Sequence, residues 1–387
     1  MADREQTKLP HGNRVDDRRI AHAIARWFAR YARALPWRTE PRDPWISLMS
    51  EIMLQQTQVA RVAERFDAFV AQFPTPSAMA DRSVDDVLAL WSGLGYYRRA
   101  RLLHACAVAI VERHGGNVPQ GLDDLHELPG VGRYTAGAVA SIAFGAAAPI
   151  VDGNVARVLL RVHGVERAPD SPGVQRWAWE RAQALAQAAG DDVPRTNEGI
   201  MELGATVCTP SAPRCPHCPL RSRCRAFEHG LTERIPAPKT RAARKPLAIS
   251  AVVVTDRRGR VLLEQRPSGG LWGGLWQPPS VERAGSRTIP LAGTLEALGL
   301  GSSVEPPVDR GKFGFATTHR AVRVQVWVAR AVHAGRTRAD RGARARWFEA
   351  ADLASLGLGS AQRRMLSAGG VATNGPSPGK AADFTKA

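Results

Sequence analysis

Lysine is almost missing from this chain. Only six of its 53 basic residues are lysines, and none lies between Lys8 and Lys239. No ε-amine is therefore available to chemistry across that span. Long apolar runs are missing as well, so no segment can span a bilayer. The opening residues, MADREQTKLPHGNRVDDRR, are charged and lack the apolar centre of an export signal. No membrane association is expected, and the chain is assigned to the cytoplasm, where disulfides are rare. Acidic residues are outnumbered 36 to 53, leaving a net charge of +17. That balance points to a polyanionic partner, most simply nucleic acid.

What is present divides the chain. With 387 residues and 44% hydrophobic content it can form two or three domains with proper cores. Residues 1–15 read as a disordered polar leader. Residues 16–230 read as helical, with Pro44 in the first turn of one helix and Gly115–Gly116 ending another. A Pro- and Arg-rich stretch within 231–246 reads as a linker. Beyond it LAISAVVVTD, GRVLLEQR and AVRVQVWVAR read as strands, so 247–366 is expected to be a separate α+β domain. The Gly/Ser/Pro/Ala-rich tail 367–387 is expected to be disordered.

Four of the five cysteines, Cys208, Cys215, Cys218 and Cys224, are spaced C-x6-C-x2-C-x5-C. Several soft thiolates so close together suit a metal. Zinc, with His217 as an alternative ligand, and a four-iron cluster fit the chemistry about equally. A pair of disulfides would need an oxidising compartment.

Three further stretches carry chemistry. In LPGVGRYTAGAVASIAFG (128–145), Pro129-Gly130-Val131-Gly132 turns between two helices, the second opening near Arg133. The glycines permit positive φ and close backbone approach. Free N–H groups at the helix start suit a phosphate oxygen. In PIVDGNVARVLLRV (149–162), Asp152 precedes a helix. An N-cap role there would keep it ionised. In SLMSEIMLQQTQVARV (47–62), Glu51 sits among apolar residues. It is either a surface acid on an amphipathic helix or an acid in a dry pocket that holds its proton near neutrality. A protonated Glu with an ionised Asp suits glycosidic bond cleavage through an oxocarbenium-like state.

These strings, together with LPWR (35–38), WSGLGYYRRARLLH (91–104) and MELGATVC (201–208), resemble the iron–sulfur helix-hairpin-helix DNA glycosylases. Within them the resemblance is to the MutY-type adenine DNA glycosylases, which remove adenine mispaired with 8-oxoguanine. The resemblance implies a mainly α glycosylase domain with a [4Fe-4S] cluster on the four cysteines, plus a C-terminal α+β Nudix-like domain. It implies a monomeric, nucleoid-associated protein whose partner is duplex DNA with A:8-oxoguanine or A:G mispairs.

The resemblance also distributes roles. Glu51 would protonate adenine N7 and later help water attack. Asp152 would stabilise the cationic sugar, or form a transient covalent adduct with it. Tyr134 and Asn154 would orient these groups. Trp37, Arg38 and Glu202 would line the adenine pocket. Gln56, Thr57 and Tyr96 would wedge into the duplex, and Gly130 and Gly132 would grip its backbone. The related endonuclease III family uses a hairpin lysine as Schiff-base nucleophile to cut the strand. Tyr134 takes that place here, and the lysine gap leaves no substitute. A monofunctional enzyme is therefore expected.

The C-terminal domain resembles the start of a Nudix fold. The Glu-rich helix that holds Mg²⁺ for hydrolysis is absent from VERAGSRTIPLAGTLEALGL. Lesion recognition is the implied role, with Thr317-Thr318-His319 standing where the family has Phe-Ser-His. Thr318 keeps a hydroxyl and His319 is retained, but the aromatic is not.

Overall fold

The structure, a computed structural model, describes residues 16–238, 243–267, 269–300, 303–332 and 345–373. It falls into two units. The first comprises 16–80 and 105–238, and the second 81–104 and 243–373. The leader 1–15 lies outside the described residues, as does the tail beyond 373.

The first unit is helical. Its elements are α1 (Asp17–Tyr31), α2 (Pro44–Leu54), α3 (Val59–Gln72) and α4 (Pro76–Ala80). The second unit contributes α5 (Val84–Leu90), and α6 (Arg98–His114) returns to the first. Then come α7 (Leu122–Glu127), α8 (Arg133–Phe144), α9 (Gly153–His163), α10 (Pro172–Ala189), α11 (Val193–Thr206) and α12 (Arg225–Glu228). In α1 the apolar residues Ile20, Ala21, Ile24, Ala25 and Phe28 recur at helical spacing and face α10 and α11. Helix α2 differs: every residue from Trp45 to Met53 is buried, so it has no wet face. Asp43 caps it, accepting from Ile46 N at 2.9 Å. One core joins α1, α8, α9, α10 and α11. Ile235 is fully buried in that core, so residues 231–238 of the expected linker are part of the unit, and 239–242 lie outside the described residues.

Among its described residues the second unit is built on a seven-stranded sheet, β1 (Lys245–Thr255), β2 (Val261–Gln265), β3 (Trp276–Gln277), β4 (Ser280–Ala284), β5 (Val308–Ala316), β6 (Arg320–Arg330) and β7 (Ala345–Phe348). The order is β3-β2-β1-β6-β5, with β4 on β1 and β7 on β2. Strand β1 runs parallel to β6, Ala251 opposite Val326. Residues 247–254 are buried without a break, which is why LAISAVVV lacks alternation: both faces of a central strand are covered. One face packs α14 (Ser360–Ala368), the other α13 (Leu291–Leu298). Ser367 and Ala368, expected in the tail, complete α14.

The single domain expected over 16–230 is split, although the stretch stays helical throughout α5 and α6. Residues 81–104 cluster with the second unit because their partners are there. Ser92 Oγ and Tyr97 Oη both donate to Leu358 O at 3.3 Å. A Cβ on Gly357 would lie 3.0 Å from Leu88 Cβ. Among the described residues, no helix is long and apolar enough to cross a membrane.

Candidate active site

A cavity of about 780 Å³ opens in the first unit. Helix α2 places Glu51 in its wall, only 8% exposed, so the surface alternative for this residue is excluded. Burial pushes the Glu51 carboxyl up to about 7, the nearby Asp152 and Glu198 push the same way, and Tyr134 and Arg38 pull it down. The acid therefore carries its proton over much of the range below neutrality.

Asp152 caps α9. Its Oδ1 accepts from Val155 N at 2.7 Å and its Oδ2 from Asn154 Nδ2 at 3.0 Å. The cap was expected to keep this acid ionised. Instead its proton affinity is raised: burial outweighs the backbone and Asn154 donors and the Arg157 charge. Asp152 keeps some solvent contact through the cavity yet is recessed among protein atoms, and the loss of bulk water dominates. Tyr134, on the first turn of α8, has two acceptors for one proton. Its hydroxyl donates to Met201 Sδ at 2.8 Å and also faces the Glu51 carboxyl.

Glu202 is 2% exposed and accepts from Arg33 Nε at 2.6 Å and Arg38 Nη2 at 3.0 Å. Burial alone would raise it, but the two guanidiniums hold its carboxylate below the usual range. Trp37 lines the same cavity, edge-on to Phe66 with centroids 5.3 Å apart. Gln56 and Thr57 stand at its rim on the turn after α2. Gln56 holds a positive φ of 55°, a strained conformation for a residue with a side chain.

The hairpin between α7 and α8 borders the cavity too. Gly130 needs its freedom, with φ +80°, whereas Gly132 is extended at φ −88°, not positive as its sequence context suggested. What Gly132 provides is room: a Cβ there would meet nothing within 4 Å. Helix α8 starts on it with no side-chain cap. A bare helix start facing open space is an anion site in form.

Tyr96, Thr318 and His319 are not in this cavity. They belong to the second unit, where Tyr96 Oη and Thr318 Oγ1 lie 2.8 Å apart. Tyr96 is 47% exposed with φ +47°. Thr317 ties the β5–β6 turn, its Oγ1 accepting from Arg320 N at 3.0 Å. Helix α13 carries one acid, Glu296, in keeping with the missing Mg²⁺-binding cluster.

Several site residues escaped sequence reasoning. Glu198, Arg33 and Arg42 line the cavity through pairings some 160 residues apart in the chain. Arg157 donates to Asn154 Oδ1, Gly204 O and Cys208 O, and Arg161 to Cys208 Sγ, Thr209 O and Pro210 O. These arginines, one turn apart on α9, tie the Asp152 cap to the cysteine loop. A regular basic i, i+4 pair inside an apolar helix was the available signal.

Cys208, Cys215, Cys218 and Cys224 are half-buried. Burial raises the Cys218 thiol to about 12, and the crowding of Cys208, Cys224 and Cys215 adds to that. Of the four, Cys208 Sγ accepts from the buried Arg161 guanidinium at 3.4 Å, and Cys224 Sγ meets the Arg161 backbone carbonyl at 3.4 Å. Among the described residues no group of three or more His, Cys, Asp or Glu side chains is placed to hold a single metal ion.

A family model for HhH-GPD superfamily base excision DNA repair proteins matches residues 49–184, and a NUDIX domain model matches 250–368. The human protein called adenine DNA glycosylase is 38% identical over 330 residues, covering 71% of this chain and 60% of that protein. The Mycobacterium tuberculosis adenine DNA glycosylase is 45% identical over 215 residues, covering 55% of this chain and 69% of the relative. The chain belongs to the adenine DNA glycosylase family. It spans about three fifths of the length of its mammalian relatives. A solved structure described as a thermostable thymine-DNA glycosylase aligns at 28% identity and TM-score 0.49, covering 55% of this chain and 97% of its own.

The family site is packed tightly at one glycine. A Cβ on Gly204 would fall 2.6 Å from Asn154 Cβ and 3.1 Å from its backbone. Gly204→Ala should push Asn154 and the Asp152 cap out of register at a cost of about 1–3 kcal/mol. Thermal melting and excision rate should both fall, and an unchanged rate would show that the cap position is not critical.

Proposed function

We propose that the protein excises adenine opposite 8-oxoguanine or guanine in duplex DNA and leaves an abasic site without cutting the strand. The reading rests chiefly on one observation: Glu51, whose carboxyl is raised to about 7, shares a cavity with Asp152. The cavity volume suits an extruded base. Glu51 would give its proton to adenine N7. The C1′–N9 bond then breaks, its electron pair leaving with the base, and Asp152 faces the cationic sugar. Water would add at C1′ and return a proton to Glu51. Arg38 and Glu202 line the pocket for the adenine edge, and Tyr134 and Asn154 orient the two acids.

The absence of lysine from 9 to 238 supports the monofunctional reading. A [4Fe-4S] cluster would be held by Cys208, Cys215, Cys218 and Cys224, four thiols that would supply the thiolate ligands such a cluster takes. Its part would be structural, fixing the loop that displays Arg214, Arg221, Arg223 and Arg225. Tyr96 and Thr318, already hydrogen-bonded, are suited to read the lesion from the second unit.

The test uses labelled duplexes with A opposite 8-oxoguanine, A opposite guanine, or thymine glycol, each read with and without hot alkali. Alkali-dependent cleavage of the adenine strand, faster opposite 8-oxoguanine, is expected. Alkali-independent cleavage at thymine glycol would overturn the reading.

A further inference from the structure

Helix α11 turns two acids, Glu198 and Glu202, toward the cavity one turn apart. Glu198 is 5% exposed and accepts from Arg38 Nε at 3.1 Å and from Arg42 Nη2. Arg38 reaches Glu202 with its other end. The result is a ladder, Arg42–Glu198–Arg38–Glu202–Arg33, in which Arg38 is the shared rung.

A buried ion pair of this kind is often purely structural. Here it borders the acid of the proposed reaction. The charged and titratable groups facing Glu51 are Tyr134 from α8, Asp152 from the α9 cap, Glu198 from α11 and Arg38 from the loop after α1. Arg38 is the one cation among them, and it favours loss of the Glu51 proton. Glu198 both fixes Arg38 and opposes its charge.

We propose that Glu198 is a positioning residue: it clamps Arg38 against the cavity wall and offsets its charge, so that Glu51 keeps its proton. The inference rests on Glu51 acting as the acid.

Single-turnover adenine release by the full chain, measured across pH on an A:8-oxoguanine duplex, tests it. The rate falls on the alkaline side as Glu51 loses its proton. Glu198→Gln removes a negative charge and should move that fall to lower pH by about one unit, a roughly tenfold rate loss above it. Arg42→Gln removes a positive charge and should move it to higher pH. Glu198→Asp, which retains the charge, should leave it in place. A merely structural role would lower melting temperature or amplitude without moving the fall. If Glu198→Gln does not fold, Arg42→Gln decides: an upward shift supports the proposal. An alkaline fall that stays put in the variants that fold overturns it. Absence of adenine release by the unaltered chain at every pH would instead overturn the proposed function, and this inference with it.

Discussion

Glu51→Gln should abolish adenine release while DNA binding persists. Glutamine fills the same space on α2, whose residues from Trp45 to Met53 are all buried, so the packing around it is retained. What it cannot do is release a proton to the leaving base, a role worth about 10²–10⁴ in rate. The pH dependence of the unaltered protein should carry the same signature. With the Glu51 carboxyl raised to about 7, the acid is protonated below that pH and ionised above it. Base release should therefore fall about tenfold per unit on the alkaline side, and fall on the acid side as Asp152, whose proton affinity is raised, takes up a proton. Gel-shift binding alongside single-turnover cleavage separates the two effects. Turnover that persists in the variant would remove Glu51 from the chemistry.

Asp152→Asn should have the second largest effect, and it isolates charge from structure. Asparagine is as good an N-cap as aspartate, so its side-chain oxygen can still accept from Val155 N and melting temperature should hardly move. The variant loses the negative charge that faces the developing cation, a loss of about 10²–10³ in rate. Melting and single-turnover excision measured together check this. A large drop in melting temperature would mean that the carboxylate mainly holds α9, whereas normal excision would show that the sugar cation is stabilised elsewhere.

Local features were readable from the chain because their causes are local. Gly132 followed by Arg133 marks the start of α8, and Asp152 before Gly153 marks the α9 cap. The burial of Glu51 was half visible: PWISLMSEIML has too little polar surface for an amphipathic helix, but only the packed structure excludes the wet alternative. The shift of Asp152 was hidden, because sequence displays the donors and not the lost water. Glu198 and Arg42 left no trace either, as an ion pair spanning 156 positions has no periodicity. The same applies to residues 81–104, whose partners near Leu358 are defined only once the sheet exists.

That last arrangement bears on the order in which the protein can assemble during synthesis. Residues 81–104 leave the ribosome early, yet Leu88, Ser92 and Tyr97 have partners at 357–359. The nascent chain must carry this stretch without those partners while more than half of its length is still being made. A stop codon or proteolytic cut just before β1 would thus do more than remove the sheet of the second unit. It would leave Leu88, Ser92 and Tyr97 within the remaining fragment permanently without their contacts to 357–359.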